Sequence, residues 1–178
     1  LQAQTDPLTG LLNRRSFEEA AAELIRVNPD GSHAVAICDL DHFKRLNDTA
    51  GHDAGDRALK LFADVMRTSV RPTDLVGRQG GEEFVIFLRD VDTDTARSTL
   101  ERIRSELRRA VRRSAGPAFT TSIGAAQFSG EGTDIRELVR LADRALNSAK
   151  EAGRDQTVFT ADLTLDSSVM EPRIRSLG

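Results

Sequence analysis

"DLVGRQGGEEFVIFL", residues 74–88, decides how this chain folds. Two strand-like runs, 74–78 and 82–88, meet at Gly80-Gly81, and strand pairs joined through a Gly-Gly step predict a tight hairpin. A sheet that contains a hairpin is not wholly parallel. Working outward, apolar spacing predicts a helix over 15–28 with Phe17, Ala21, Leu24 and Ile25 on one face, stopping at Asn28-Pro29-Asp30-Gly31. A buried strand follows over 33–40, and the clearest helix over 51–70. Beyond the hairpin come a basic amphipathic helix (94–113), a strand (119–128), a helix (135–152) and a last strand (156–159). This mixture predicts an α/β fold, an α+β sandwich with a central antiparallel hairpin and helices on the sheet's faces. The domain is read as 6–160. Residues 1–5 are expected to end a linker helix, and 161–178 to form an extended or partly ordered tail.

The 178 residues are enough for one domain with a substantial core. Hydrophobic residues make up 39% and charged residues 30%, the balance of a soluble globular protein rather than a disordered one. No apolar run reaches the roughly 18 residues of a membrane span, so no membrane contact is expected within this fragment. The opening Leu1-Gln2-Ala3-Gln4 has neither an initiating Met nor a secretory pattern, and the chain is read as a piece of a longer, cytoplasmic protein whose full length includes the option of a membrane anchor. The single cysteine, Cys38, forms no internal disulfide and reads as a small core residue. A net charge of −3 argues against broad nucleic-acid binding, and the eight Phe, scattered singly with no Tyr or Trp, make no base-stacking platform.

The chemistry is concentrated in "CDLDHFKRLND", residues 38–48, where Asp39 and Asp41 follow a buried apolar strand. The partner of these acids is left open at this point: a basic side chain, water, or a metal carrying phosphate. The hairpin tip adds Glu82 and Glu83. Clustered carboxylates repel one another unless a cation lies between them. Acids at a strand end suit a hard divalent cation. Lys44 and the glycines of Gly51-His52-Asp53-Ala54-Gly55-Asp56 lie close behind, ahead of a helix start that favours phosphate. Together they read as a metal–nucleotide site; solvated acids at the sheet's end are the bland alternative.

The motifs then resemble a specific family. Asp6-Pro-Leu-Thr-Gly-Leu-Leu-Asn-Arg-Arg-Ser-Phe17, Asp39-Leu-Asp-His-Phe-Lys-Arg-Leu-Asn-Asp48, Gly51-His-Asp-Ala-Gly-Asp56 and Arg78-Gln-Gly-Gly-Glu-Glu-Phe84 are similar to the GGDEF diguanylate cyclases, in the GGEEF variant. Thr121-Ser-Ile-Gly-Ala125, Ala142-Asp-Arg-Ala145 and Ala149-Lys-Glu-Ala-Gly-Arg154 continue the likeness in order. The resemblance implies a mixed sheet like the palm of nucleotidyl cyclases and polymerases. It implies condensation of two GTP into cyclic di-GMP and two pyrophosphates, with Mg²⁺ (or Mn²⁺) as cofactor, in a homodimer of facing domains. A sensory region preceding the chain would drive that pairing, and this fragment alone is expected to be mainly monomeric and slow.

Residue by residue, the resemblance assigns metal binding to Asp39, the Leu40 carbonyl and Glu82. Glu82 is also the candidate base for the 3′-hydroxyl, and Glu83 assists. Lys44 would neutralise phosphate charge, and Lys150 with Arg154, four apart and expected on one helix face, would clamp the outer phosphates. Asn47 and Asp56 match the guanine-reading pair: a carboxylate accepts from guanine N1–H and N2–H₂ together, which adenine does not offer. Phe43 and His52 belong to the same pocket, His52 with a structural role as the alternative. Arg71-Pro72-Thr73-Asp74 matches an Arg-x-x-Asp inhibitory site for the product, completed by Arg102 or Arg104. Two departures stand out, Asn147 in place of Tyr and Asp155 in place of Asn, and the first is expected to soften packing near the phosphate clamp. A module that binds GTP or cyclic di-GMP without turnover is the second reading, and an ATP-using cyclase, disfavoured by Asp56, the third.

Overall fold

The structure is a computed structural model that describes residues 2–129 and 132–163. In chain order the elements are β1 (Leu12–Asn13), α1 (Arg14–Val27), β2 (Ser32–Leu40), α2 (Phe43–Ala50), α3 (His52–Ser69), β3 (Leu75–Gly80), β4 (Glu83–Leu88), α4 (Thr93–Arg113), β5 (Thr121–Ser129), α5 (Ile135–Glu151) and β6 (Thr157–Phe159). The hairpin forms as expected: β3 and β4 pair antiparallel, and their register shifts between Arg78 and Gly80 at the turn. Gly80 and Gly81 both have positive φ, 152° and 51°, where a side chain would strain the backbone. The six strands lie in the order β1-β3-β4-β2-β5-β6. β2 is antiparallel to both neighbours, β4 and β5, while β1 and β6 run parallel to β3 and β5 at the two edges.

Every residue of β2 after Ser32 is buried, because helices cover both faces of the sheet. Alternation then sorts its side chains. Ala34, Ala36, Cys38 and Leu40 enter the layer shared with α2, α3 and α4, where Phe62 meets Phe84 edge-on at 5.0 Å. Val35 and Ile37 enter the opposite layer, with Phe17, Ala21 and Ile25 of α1 and Leu138, Ala142 and Leu146 of α5. The odd-numbered side of β2 is therefore the α1/α5 side, and Asp39 is next in that series.

Two elements were not foreseen. β1 is only two residues long, too short for any periodicity, and exists by pairing Leu12 with Gly77 and Asn13 with Arg78. α2 spans eight residues of which Leu46 alone is buried, so it carries no apolar stripe; Gly51, at φ 89°, separates it from α3. Residues 2–5 contain no helix, in contrast to the expected linker-helix end: Thr5 bridges Leu12, and Asn13 N–H donates to the Gln4 carbonyl at 3.0 Å. Residues 160–163 are helical, and the rest of the predicted tail lies outside the described residues.

α5 packs tightly on the sheet at Gly124. A Cβ there would lie 2.0 Å from Leu146 N and 2.2 Å from the Ala142 carbonyl oxygen, both backbone atoms that no rotamer change can move. Gly124→Ala is therefore expected to cost about 3 kcal/mol or more of stability, read by urea unfolding; an unchanged midpoint would contradict this packing of α5 on β5.

Candidate active site

The buried run of β2 ends in charge because its last residues reach the sheet's rim beside the hairpin turn. Asp39 pairs in register with Glu83 on β4 and with Ser122 on β5, so the three side chains share the α5 face. Leu40 N–H donates to the Glu82 carbonyl at 3.3 Å, which holds the turn against the strand end. Asp39 is only 6% exposed, and Glu82 and Glu83 are half-buried.

The open question about the acids' partners has a different answer for each. Asp39 Oδ2 accepts from Lys150 Nζ of α5 at 2.6 Å. Asp41 is buried and satisfied by neutral donors: Thr120 Oγ1 and Ser122 Oγ, both at 2.6 Å, and Asp155 N–H at 3.1 Å. Asp41 thus ties β2 to the β5–β6 corner and serves as a structural acid. Burial is the largest influence on the Asp39 carboxyl and pushes its pKa up; Lys150 pulls it back, while Glu82 and Asp41 push it up again. Glu83 is likewise raised, by burial first and then by Asp39 and Asp143, with Lys150 opposing. Asp143 was not foreseen as part of this charge cluster. The signal was present, since it precedes Lys150 by two helical turns and so shares its face of α5.

Four acids around one ammonium group leave a demand for positive charge. Among the described residues, no set of three or more His, Cys, Asp or Glu is arranged to hold a metal alone. Mg²⁺ binds through one or two carboxylates and takes its remaining ligands from water and phosphate oxygens. Asp39, Glu82 and the Leu40 carbonyl are the groups fit to hold it, and the Lys150 ammonium is the cation already standing against Asp39.

On the other side of the β2 end, α2 and α3 carry the residues assigned to the nucleotide. Phe43 and Asn47 lie one turn apart on α2, and Lys44 is exposed in its first turn. His52 and Asp56 lie one turn apart and exposed on α3. Gly55 lets the two helices approach: a Cβ there would meet Asn47 Oδ1 at 1.8 Å and Phe43 Cζ at 3.2 Å. Asn47 Oδ1 is buried with no hydrogen-bond partner, an atom that awaits a donor.

Lys150 and Arg154 do not share a helix face, contrary to expectation. α5 ends at Glu151, and Gly153, Arg154 and Asp155 follow with positive φ, so Arg154 lies exposed on a left-handed turn closed by its N–H to the Ala149 carbonyl at 2.9 Å. Asn147 is exposed on α5, so the missing Tyr removes no packing from the clamp, again contrary to expectation. Asp155 has a partner its charge explains: Arg104, 8% exposed, donates to Asp155 Oδ1 at 2.7 Å. Arg104 is consumed by Asp155 and Glu101 and is not available to the Arg-x-x-Asp site. Arg71 and Asp74 of that motif bond to each other within the protein. Asp74 Oδ2 accepts from Arg71 N–H at 2.9 Å and from its Nε at 3.3 Å, and Oδ1 from Arg71 Nη2 at 3.0 Å and Arg89 N–H at 3.0 Å. Arg102 reaches the same corner through the Ser69 carbonyl at 2.7 Å.

A mixed sheet with acids at the end of a central strand, a glycine-turned hairpin beside them and helices on both faces defines the class of palm-like nucleotide domains. A family model described as "Diguanylate cyclase, GGDEF domain" matches residues 3–156. The chain belongs to that family. It is 39% identical over 160 residues, 88% of its length, to the probable diguanylate cyclase DgcT of Escherichia coli K12, and 40% identical over 158 residues, 87% of its length, to the diguanylate cyclase DgcP of Pseudomonas aeruginosa. The chain spans only 35% and 24% of those two proteins. The solved GGDEF domain of DgcB from Caulobacter crescentus, in complex with c-di-GMP, superposes with a TM-score of 0.82 at 31% identity, covering 90% of this chain and 98% of that one.

The Lys150–Asp39 pair makes a prediction that needs no nucleotide. Lys150→Met leaves the buried Asp39 carboxylate unpaired and is expected to cost about 1–3 kcal/mol of stability in metal-free buffer. Millimolar Mg²⁺ should recover part of that loss in the variant and add less to the wild type, both read by urea unfolding. Equal stability of the two proteins without metal would contradict the pairing.

Proposed function

We propose that this domain is a diguanylate cyclase: two copies face each other, each holding one GTP, and together they form cyclic di-GMP with release of two pyrophosphates. The observation that carries the reading is the acid cluster of Asp39, Glu82 and Glu83 at the end of the central strand, balanced by one lysine. The family, the names of the relatives and the c-di-GMP found with the Caulobacter domain support it. In each half-reaction a 3′-hydroxyl oxygen bonds to the α-phosphorus of the opposite GTP. The bond from that phosphorus to the bridging oxygen breaks, pyrophosphate leaves and the hydroxyl gives up its proton. Mg²⁺, when bound, draws charge from the phosphoryl oxygens.

This chain's own groups do the rest. Asp39, the Leu40 carbonyl and Glu82 would hold the cation, and Lys44 with the amides at the start of α2 would face the phosphates. Lys150 moves its ammonium from Asp39 to the phosphates when the cation arrives. Arg154 comes to them from the turn after α5. Asn47, with its unpartnered Oδ1, and Asp56 read guanine, with Phe43 and His52 as walls. Glu82 is the candidate acceptor of the hydroxyl proton, with Glu83 beside it. Product returning to Arg71, Asp74 and Arg102 inhibits the enzyme, a role supported by the preassembled Arg71–Asp74 pair. A GTP substrate goes with a cytoplasmic setting for the domain.

Incubation with GTP and Mg²⁺, with the product identified by mass, tests the reading. Cyclic di-GMP is expected, and Glu82→Gln should lower the rate about a hundredfold or more; normal turnover by that variant would refute the metal assignment. Asp56→Ala should weaken GTP use roughly tenfold to a hundredfold. Gly55→Ala, which touches no substrate group but forces Asn47 aside, should raise KM for GTP; an unchanged KM would remove Asn47 from the base pocket.

A further inference from the structure

The reverse side of α2, facing away from Phe43 and Asn47, opens on a cavity of about 540 Å³ between that helix, the C-terminal half of α4 and the 117–120 segment. Its volume lies within the range of small-molecule sites. Leu46, Val111 and Phe119 form an apolar wall, and Arg45, Arg108 and Arg112 stand around it. All three arginines are exposed, so their charge costs nothing to hold there, and among the described residues only Arg108 has an acidic neighbour, Asp155 at 3.5 Å. Among the lining residues Asp41 alone is acidic, and both its oxygens are already bound by Thr120 and Ser122. An apolar surface bordered by Arg45 and Arg112, whose guanidinium groups meet no acid among the described residues, is complementary to a ligand with a greasy body and an anionic head.

We propose that this cavity binds an amphipathic organic anion, its apolar body against Leu46, Val111 and Phe119 and its phosphate or carboxylate head on Arg45 and Arg112. Asp41 and His42 line the cavity and lead directly into Phe43 and Lys44, so the ligand touches the joint between β2 and α2 from behind. His42 holds that joint in a left-handed conformation, φ 54°, which is uncommon for a residue with a side chain. The site is separate from the nucleotide cleft, from the metal acids and from the Arg71–Asp74 corner.

The test is a fluorescence titration of the protein with the anionic dye anilinonaphthalene sulfonate, without nucleotide, so that it is independent of the cyclase reading. Saturable binding to one site is expected, with displacement by dodecyl phosphate below its micelle concentration and none by dodecanol. The double variant Arg45→Ala/Arg112→Ala should bind the dye about tenfold more weakly. Arg109→Ala, whose guanidinium pairs with Glu106 outside the cavity, should bind as the wild type does. Because all these arginines are exposed, the variants should melt with the wild type, and the melting curve confirms that they are folded. Wild-type affinity in the double variant, or equal displacement by dodecanol, would overturn the proposal.

Discussion

Like charges packed against one another at the end of a buried strand set the terms for this domain. Asp39, Glu82, Glu83 and Asp143 come from the central strand, the hairpin and α5, and Lys150 is the ammonium group placed among them. Burial first, and then the neighbouring carboxylates, make Asp39 and Glu83 harder to ionise. A fold that assembles such a cluster carries an electrostatic cost, which a cation offsets. The architecture serves that placement: β2 lies inside the sheet, the glycine turn brings Glu82 to its end, and Gly124 lets α5 lie close enough for Lys150 to reach across. Lys150 stands on Asp39 itself, so its ammonium holds the place beside that carboxylate that a divalent ion would take.

The same residues explain how much was legible beforehand. The hairpin, the central strand and the long helices show in the sequence because their signals are local: a Gly-Gly turn, an unbroken apolar run, a repeat of helical period. The parity of β2 shows too, since Val35 and Ile37 fix the side on which Asp39 must emerge. β1 and α2 leave no such mark. A two-residue strand is made by its neighbours, and an eight-residue helix with one buried side chain has no stripe to detect. Long-range pairing was equally invisible. That Asp39 meets Lys150, that Asp41 is closed off by Thr120 and Ser122, and that Arg104 is spent on Asp155 are facts of tertiary contact between residues far apart in the chain. The shared face expected for Lys150 and Arg154 failed because the helix stops between them.

The departures from the family pattern become intelligible in the same terms. Asp155 brings a negative charge to the β5–β6 corner where Arg104 is buried and Arg108 lies near, so the pair is internally compensated. Asn147 faces solvent, where a smaller polar side chain disturbs nothing. The domain therefore keeps its charged cluster, the unpartnered Asn47 Oδ1 between α2 and α3, and its Arg71–Asp74 corner as three separately supported features. They are linked through β2, the two helices that follow it and the strands of the hairpin.

We propose that negative charge at the β2 rim is completed by a divalent cation and a triphosphate, with Lys150 yielding its place. A crystal of the protein soaked with Mg²⁺ and a non-hydrolysable GTP analogue tests it most directly. The expected result is a cation about 2.1 Å from oxygens of Asp39 and Glu82, with the Lys150 ammonium moved away from Asp39 onto phosphate oxygen. A saturating soak in which Lys150 remains on Asp39 and neither cation nor phosphate enters the cleft would contradict it.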